Sequence, residues 1–523
     1  MKHITTHVFL ILLLGIPTLI LSQSSLNRGL IAFEVGDYET AIPLLEKALQ
    51  KKGDFRAASP LAMSYQNQGF DQEAVAMFRL ASTTKQLPDS GYLAFAFAML
   101  EVGEYAEAYN LLIEERPKIG TLQEYDTMLV RAALSLALVV DSLQFELIKV
   151  EIPIEGSKIS PSFYQDGLVF TSSLNSNNKG KASQPYSVYH ARRKNMFSFE
   201  SPTKLNGFRK SPYSEGPIAI SSNHKQYYFS RVYEKFPDPQ NRIRKGGVSR
   251  ILTMDLNGKN WEGPSDLNFN SWQFSNTQPA LSSNDSTIVF CSNRPGGVGG
   301  TDLYWVQLES GGWGLPVNLG KIVNTSGNEY FPTLVGKDTL YFSSTGHFGL
   351  GGLDLFVSWR ENGNWIKPIN LGYPANSHAD DFGINFLPRQ NLAYFSSDRK
   401  QKGLDEIYAL RYRPRLKIQV IDSMTQLPIP GALITLFQPN GHEQVVITSM
   451  EGNYDLSYES SLGAFFQVQS QGQFPKKVRI VPTNQYPAIV NEAVVQLPQS
   501  YEARIYGMVQ TNKNKTPLMG VKV

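Results

Sequence analysis

Residues 288–304 read IVFCSNRPGGVGGTDLY, and residues 340–356 repeat the pattern as LYFSSTGHFGLGGLDLF. Each copy has an aromatic strand ending in serine, a glycine-containing turn and a second strand that starts near an aspartate. Further copies lie at 168–173 (LVFTSS), 227–231 (YYFSR) and 393–408 (AYFSSDRKQKGLDEIY). The phenylalanines in register are Phe170, Phe229, Phe290, Phe342 and Phe395, spaced by 59, 61, 52 and 53 residues. This interval is close to the span of a four-stranded blade, so it predicts a β-propeller over residues 150–412, with five blades visible and a sixth left open.

A different repeat occupies residues 25–145. Its glycines lie 33 and 34 residues apart, and each is followed five residues later by an alanine. Glycine permits a tight turn between helices, and alanine lets paired helices approach closely. The signature residues are Gly36, Ala41, Gly69, Ala74, Gly103 and Ala108. The period predicts a tetratricopeptide-repeat (TPR) stack, with a plain stack of helical hairpins as the alternative.

The segment 414–498 is typical of a small β-sandwich. Apolar residues alternate in its strands, at Ile418 and Val420 and again at Ile434 and Leu436, which indicates strands with one buried face. A second copy starts within residues 501–523 and stops at Val523. Because one hairpin cannot bury a core, we expect a truncated sandwich there.

The N-terminus has the layout of a signal peptide over residues 1–22. Lys2 precedes an apolar stretch from Val8 to Leu21, and Ser22 provides a small residue for cleavage. A single membrane anchor is the alternative, but about 14 apolar residues are fewer than the roughly 20 that span a bilayer. We therefore predict export to the periplasm or the periplasmic face of the outer membrane. The only cysteine, Cys291, excludes an intrachain disulfide.

The whole chain of 523 residues is thus predicted to be a multidomain α + β protein: a helical repeat stack, a propeller and a sandwich. Lys and Arg number 49 against 46 Asp and Glu, with no long basic run. This balance argues against nucleic acid as a partner.

Signatures of catalysis are absent from the sequence. It contains no GxSxG, HExxH, CxxC or GxxxxGKS motif, so we predict that the protein is not an enzyme and has no cofactor or metal. The one suggestive cluster is His378, Asp380 and Asp381, where an imidazole and two carboxylates could hold a metal ion. We favour instead that the two aspartates cap a turn before the fifth blade.

Asp302, Asp354 and Asp405 follow glycine-containing turns at what the sequence suggests are equivalent blade positions. Calcium is one interpretation, but it needs about six to eight oxygens gathered locally, and one carboxylate per turn is visible. We favour structural aspartates that accept backbone N–H bonds, in turns whose glycines permit positive φ.

Several motifs resemble known families. SNRPGGVGGTDLYW, followed by GWGLPVNLG, resembles TolB-type, WD-like propeller repeats of the Bacteroidetes OmpA-related group. The segment from LKIQVIDSMTQLPIPGALITLF to EGNYDLSYES resembles carboxypeptidase-regulatory-like domains. The order of segments is similar to the PorE-type envelope component of type IX secretion and gliding machinery. The resemblance implies a non-catalytic scaffold that binds other envelope proteins, with peptidoglycan as a partner only if the parent chain carries an OmpA-like domain.

The alternative is a propeller-based carbohydrate-binding protein or glycosidase. A retaining glycosidase would place two carboxylates about 5 Å apart at the propeller axis. Finding only turn-bound Asp302, Asp354 and Asp405 would favour the scaffold.

Overall fold

The computed structural model describes residues 24–116, 122–140, 145–173, 185–209, 211–238, 240, 242–387, 392–412, 415–437, 443–457, 465–479 and 491–498. The predicted signal peptide (1–22) and truncated sandwich (501–523) lie outside these residues. The chain divides into two compact units, Met1–Arg411 and Tyr412–Val523. No helix of the described residues is both long and apolar enough to cross a membrane.

The first unit begins with helices that pack successively on one another. They are α1 (Ser25–Glu34), α2 (Tyr38–Lys52), α3 (Ala58–Asn67), α4 (Asp71–Thr83), α5 (Gly91–Glu101), α6 (Tyr105–Glu115) and α7 (Leu122–Val140). Local chemistry sets the ends of α2, because the Asp37 side chain accepts from the Thr40 N–H at 3.1 Å and Gly53 ends the helix in the left-handed conformation.

Five antiparallel sheets follow, which we number as blades one to five. Blade one contains β2 (Lys158–Tyr164), β3 (Gly167–Ser172), β4 (Ser187–Arg192) and β5 (Thr203–Lys204). Blade two contains β6 (Ser214–Ile220), β7 (Gln226–Pro237), β8 (Ile243–Asn257) and β9 (Asn260–Asp266). Blade three contains β10 (Asn276–Leu281), β11 (Thr287–Ser292), β12 (Asp302–Glu309), β13 (Gly312–Trp313) and β14 (Val317–Asn318). Blade four contains β15 (Glu329–Val335), β16 (Thr339–Ser344), β17 (Asp354–Glu361), β18 (Asn364–Trp365) and β19 (Ile369–Asn370). Blade five contains β20 (Asp381–Leu387), β21 (Leu392–Ser397), β22 (Glu406–Tyr412) and, as its outermost strand, β1 (Phe145–Lys149).

The blades close into a ring. The innermost strands β2, β6, β10, β15 and β20 each contact the innermost strands of both neighbouring blades. β1, which precedes blade one in sequence, completes blade five by pairing with β22. The five described sheets therefore form a five-bladed propeller, and its closing blade combines β1, the first strand, with β20 to β22, the last three.

The repeated phenylalanines lie at equivalent positions of the second strands. Their register partners on the third strands are Tyr189 for Phe170, Leu252 for Phe229, Tyr304 for Phe290, Phe356 for Phe342 and Tyr408 for Phe395. All five are fully buried. Large rings at this position fill the space between neighbouring wedge-shaped sheets.

The second unit has two sheets in the described residues. One has the strand order β26 (Asn453–Ser457), β23 (Arg415–Asp422), β29 (Asn491–Leu497), and the other β25 (Glu443–Ile447), β24 (Leu433–Phe437), β27 (Phe465–Gln469), β28 (Lys476–Arg479). Their alternating apolar residues, including Ile418, Val420, Ile434 and Leu436, are 1% exposed or less and form one core.

The fold class predicted from the sequence is wrong as stated. Among the described residues, strands account for 42% and helices for 22%, so the protein is mainly β, and the seven helices do not form a clear TPR stack. The three glycines of the repeat do have positive φ at turns, and Ala41, Ala74 and Ala108 are fully buried. The helices nevertheless share their core with the propeller, because Leu350 from blade four is buried among helical residues and its carbonyl accepts from the Tyr105 hydroxyl at 3.4 Å. Helices and propeller thus lie within one compact unit.

Candidate functional site

A layer of mostly buried polar side chains crosses one end of every blade. We call it the polar layer, and it is defined by residues in register on the first three strands. It consists of Lys158, Ser172 and Ser187; Glu215, Arg231 and Arg250; Asn276, Ser292 and Asp302; Glu329, Ser344 and Asp354; and Asp381, Ser397 and Glu406. The layer contains direct charged pairs: the Arg231 Nε donates to Glu215 at 2.8 Å, and the Lys158 Nζ donates to Glu406 at 2.9 Å.

The blade-turn aspartates occupy two different positions. Asp302 accepts from the N–H groups of Val298 (2.5 Å) and Gly299 (3.0 Å), and Asp354 accepts from the Gly351 N–H at 3.0 Å. Both belong to the polar layer. In blade five the register instead aligns Glu406 with them, so the residue equivalent to Asp302 and Asp354 is Glu406 rather than Asp405. The sequence comparison chose Asp405 instead of Glu406 because the blade-five turn differs in length and glycine content from those of blades three and four.

Most glycines of these turns are needed because other atoms lie close to their Cα, and not because they have positive φ, as we expected. Gly296 has φ +86°, but Gly297 and Gly349 do not lie in the left-handed region. A Cβ at Gly349 would lie 1.8 Å from an Asp354 carboxylate oxygen, and one at Gly297 would lie 2.5 Å from Asp302. The turn therefore needs glycine so that it can fold over its own aspartate.

Next to the polar layer, the helices and the loops of blades four and five enclose a cleft of about 370 Å³. We call it the acidic cleft. Its walls come from the start of α4 (69–73), the end of α5 (Glu101 and Val102), Gly352, the segment 378–380 and the segment 398–402. The side chains that line it include five carboxylates, of Asp71, Glu73, Glu101, Asp380 and Asp398, against the cations of Arg399, Lys400 and Lys402.

Two of these cations are already held by carboxylates. The Lys402 Nζ lies 3.1 Å from Asp71, and the Arg399 guanidinium contacts the fully buried Asp381 at the floor of the cleft. Arg399 also donates to the carbonyls of Pro374 (2.8 Å) and Ala375 (2.9 Å). Glu101 is likewise paired with Arg131 at 2.9 Å, so the negative charge in excess comes from Glu73, Asp380 and Asp398 against Lys400.

Asp380 and Asp398 lie side by side in this cleft. The Asp380 N–H donates to the Asp398 carboxylate at 3.0 Å, and the Asp380 carboxylate accepts from the Leu353 N–H at 2.7 Å. Burial raises the pKa of Asp380, and the nearby charge of Asp398 raises it further. Burial lowers the pKa of His378, against the opposing effect of Asp381. A carboxyl group with a raised pKa beside a second carboxylate is an arrangement used for acid–base chemistry.

The cleft also has an apolar wall. Phe70 directly precedes α4, and its side chain is 50% exposed. Its ring packs edge-on against Tyr65, with 6.1 Å between the ring centroids. An exposed aromatic ring beside carboxylates can support the carbon framework of a ligand whose polar groups the carboxylates bind. Within the described residues no group of three or more His, Cys, Asp or Glu side chains is arranged to hold a metal ion.

Sequence reasoning identified His378, Asp380 and Asp381 but not the site around them. The structure brings His378 and Asp380 into the cleft and buries Asp381 beneath it. Phe70, Asp71, Glu101 and Asp398 come from segments far apart in sequence, and no local spacing could have grouped them.

A second cavity, of about 200 Å³, lies among the inner strands of the blades. Its lining in the described structure contains no ionisable side chain. Each inner strand has a bulge near the axis with a residue at positive φ: Ser160, Gly216, Gln278, Phe331 and Gly383. In four blades a proline follows, which is a sequence signal that our reasoning overlooked. The axial carboxylate pair of the glycosidase alternative is not found among these residues.

No protein-family profile matches the chain, and no curated protein matches it. Solved structures with partial similarity include TolB from Acinetobacter baumannii, 12% identical over 57% of this chain and 78% of that one, with a TM-score of 0.25. An α-L-arabinofuranosidase from Lactobacillus brevis is 11% identical over 50% of this chain and 92% of its own, with a TM-score of 0.33. The complex of the TPR2B domain of yeast Sti1 with pHsp70 is 22% identical over 21% of this chain and 94% of that one, with a TM-score of 0.20.

These matches correct one prediction. We expected that the protein is not an enzyme, but hydrolases, the arabinofuranosidase among them, occur among the matching structures. The absence of common hydrolase motifs from the sequence therefore does not exclude catalysis, since catalytic carboxylates need no fixed sequence motif.

Proposed function

We propose that the protein is an exported propeller protein that binds a partner polypeptide of the cell envelope through the acidic cleft. The observation that carries this proposal is the composition of the cleft, where five carboxylates and an exposed phenylalanine ring share about 370 Å³. The matching ligand is a lysine or arginine side chain of the partner. Its charged end pairs with Asp380 and Asp398, and its alkyl stem lies along Phe70.

The cellular location in this proposal is supported by the sequence alone. It depends on the signal-peptide layout of residues 1–22 and on the resemblance of the segment order to the PorE-type component of type IX secretion and gliding machinery. The partners we propose are accordingly other envelope proteins. Peptidoglycan is included only if a parent chain carries an OmpA-like domain.

Site-specific photo-crosslinking in envelope extracts tests the proposal. A photoreactive phenylalanine analogue at position 70 should capture a defined protein, and the analogue at position 55, where Phe55 is similarly exposed at 44%, should not. Asp380→Asn combined with Asp398→Asn should reduce capture at position 70 at least tenfold, because the cation loses both carboxylates. Asp126→Asn combined with Glu361→Gln, two exposed positions outside the cleft, is the matched control. Equal capture by both double variants would refute the proposal.

The second candidate function is carbohydrate binding or glycoside hydrolysis at the same cleft. It is favoured by the contact between Asp380 and Asp398 beside the Phe70 ring. In this proposal Asp380, whose pKa burial raises, is the general acid, and Asp398 is the second carboxylate. Phe70 would stack against a sugar ring.

A direct assay distinguishes the two candidate functions. A panel of nitrophenyl glycosides and plant and bacterial oligosaccharides is incubated with the protein, and turnover and binding are both measured. Asp380→Asn should lower turnover at least a hundredfold, since general-acid catalysis contributes about 10²–10⁴-fold. If no sugar binds or turns over while position 70 crosslinks to a protein, the carbohydrate proposal is discarded.

A further inference from the structure

Blade two carries a hairpin that extends beyond the polar layer. Its strands β7 and β8 have 12 and 15 residues, against six to eight in the corresponding strands of the other blades. Pairing continues past Arg231 and Arg250 to Pro237 opposite Ile243. We call the described residues 233–238 and 242–248 the basic arm.

The base of the arm is firmly held. The Tyr233 ring packs between Tyr213 (5.4 Å between centroids) and Trp272 (5.2 Å). The Arg250 guanidinium stacks over Trp272 at 3.9 Å. These contacts fix the direction in which the arm projects, so its outer residues are presented in a defined geometry.

Negative charge near the tip of the arm is turned inward. Asp238 has only 1% of its side chain exposed and accepts from the N–H groups of Gln240 (2.9 Å) and Arg242 (2.8 Å). Its carboxylate also accepts from the Nε atoms of Arg242 (2.8 Å) and Arg244 (3.3 Å), whose side chains are 69% and 58% exposed. The exposed side chains of Arg242 and Arg244 consequently make this end of the arm cationic, although both contact an aspartate.

One face of the arm carries an unfavourable pair. Lys235 and Lys245 lie directly opposite each other on the two strands, and both are exposed. Like charges at facing positions destabilise a strand pair, and an anion bound between them removes the repulsion. The next pair along the same face is Pro237 and Ile243, and Ile243 is 68% exposed. The tip therefore presents an apolar side chain beside clustered cations.

We propose that the basic arm docks on an anionic membrane surface. Lipid phosphates bind between Lys235 and Lys245, and Ile243 enters the boundary between headgroups and acyl chains. Clustered cations with an apolar residue at a projecting tip have the chemistry that peripheral membrane binding requires. A soluble polyanion would use the lysines but would gain nothing from the exposed Ile243.

Vesicle co-flotation of the full chain tests this inference. We expect binding to vesicles of phosphatidylcholine mixed with phosphatidylglycerol, little binding to phosphatidylcholine alone, and loss of binding as salt is raised. Lys235→Gln combined with Lys245→Gln should weaken binding roughly 30-fold, the factor expected for about two surface lysines. Ile243→Ser should weaken binding to vesicles while leaving the binding of soluble polyglutamate unchanged.

The control is Lys321→Gln combined with Lys367→Gln, which removes the same charge from exposed positions elsewhere on the propeller. Its vesicle binding should equal that of the unaltered protein. Equal binding by the two lysine double variants, salt-insensitive binding, or polyglutamate binding as tight as vesicle binding would each overturn the proposal. The salt and lipid dependence of the unaltered protein tests it even if a variant misfolds, and the outcome does not depend on the acidic cleft.

Discussion

Replacing Asp381 should distinguish two ways of satisfying a buried arginine. Asp381 is fully buried, accepts from the N–H (2.6 Å) and hydroxyl (2.7 Å) of Ser377, and contacts the Arg399 guanidinium. Blade three has Asn276 at the equivalent position, where its side-chain oxygen accepts from Arg294 at 3.0 Å. Asp381→Asn therefore keeps the acceptor that blade three uses for its arginine, but its amide NH2 then faces the Ser377 N–H, whereas the Asn276 amide donates to the Phe269 carbonyl at 3.2 Å.

The expected magnitudes follow from this comparison. Asp381→Ala leaves a buried guanidinium without its carboxylate, which should cost about 3–5 kcal/mol of stability. Asp381→Asn keeps the acceptor for Arg399 but leaves the buried Ser377 N–H facing an amide NH2, so it should cost about 2–3 kcal/mol, less than alanine. The other acceptors of Arg399, the carbonyls of Pro374 and Ala375, are unchanged in both variants.

Scanning calorimetry of the full chain measures this difference. In a unit as large as Met1–Arg411, each kcal/mol should lower Tm by roughly 1 °C. Burial raises the pKa of Asp381, although Arg399 opposes the effect, so the measurement is made at several pH values, since higher pH favours the ionised carboxyl. Equal destabilisation by alanine and asparagine, or none by alanine, would show that the pairing in the polar layer is not what stabilises this blade.

Three further predictions concern other parts of the fold. Burial raises the pKa of Asp354 to about 8, so its contribution to stability is complete below about pH 4 and is lost as the pH rises through about 8. Asp354→Asn should flatten this decline in stability, which is at most about 1.4 kcal/mol per pH unit. A pH series of urea unfolding measures it. An unchanged pH profile in Asp354→Asn would contradict this assignment. Phe290→Ala should cost about 3–5 kcal/mol and Phe290→Leu clearly less, because the ring is fully buried and stacked on Phe269 at 4.9 Å between centroids. Similar costs for both would argue against tight packing between the blades. Asp422→Ala should cost the second unit about 1–3 kcal/mol, since its carboxylate accepts from the N–H groups of Met424 (2.9 Å) and Thr425 (2.8 Å) and from Gln473 (2.7 Å). In calorimetry, the Tm of the second unit should fall while the Tm of the first unit stays constant.

The sequence was most informative where a local pattern recurs. Aromatic residues at equivalent positions of the blades fill equivalent spaces between neighbouring sheets. The regular spacing of Phe290, Phe342 and Phe395 could therefore be detected without coordinates. The helical repeat was equally visible, yet it led to the wrong fold class. Nothing in the positions of Gly69 and Gly103 reveals that Leu350, some 250 residues later, packs into the helical core.

The candidate site was predictable only in fragments. His378, Asp380 and Asp381 are neighbours in sequence and were predicted as a cluster. Phe70 and Asp398 join them only because the start of α4 lies against the loops of blade five, a contact set by tertiary packing. The aspartate series failed by one residue at Asp405, since register is fixed by hydrogen bonding between strands rather than by distance from a turn.

The pairing of β1 with β22 has a consequence for biosynthesis. Emerging from the ribosome, β1 must wait until more than two hundred further residues have been made before its partner exists. During that interval the unmatched edge and the facing apolar surfaces of the early blades are open to wrong partners, a hazard typical of long-range β pairing. We therefore expect that a holding chaperone improves the yield of folded chain until Glu406–Tyr412 is available for pairing.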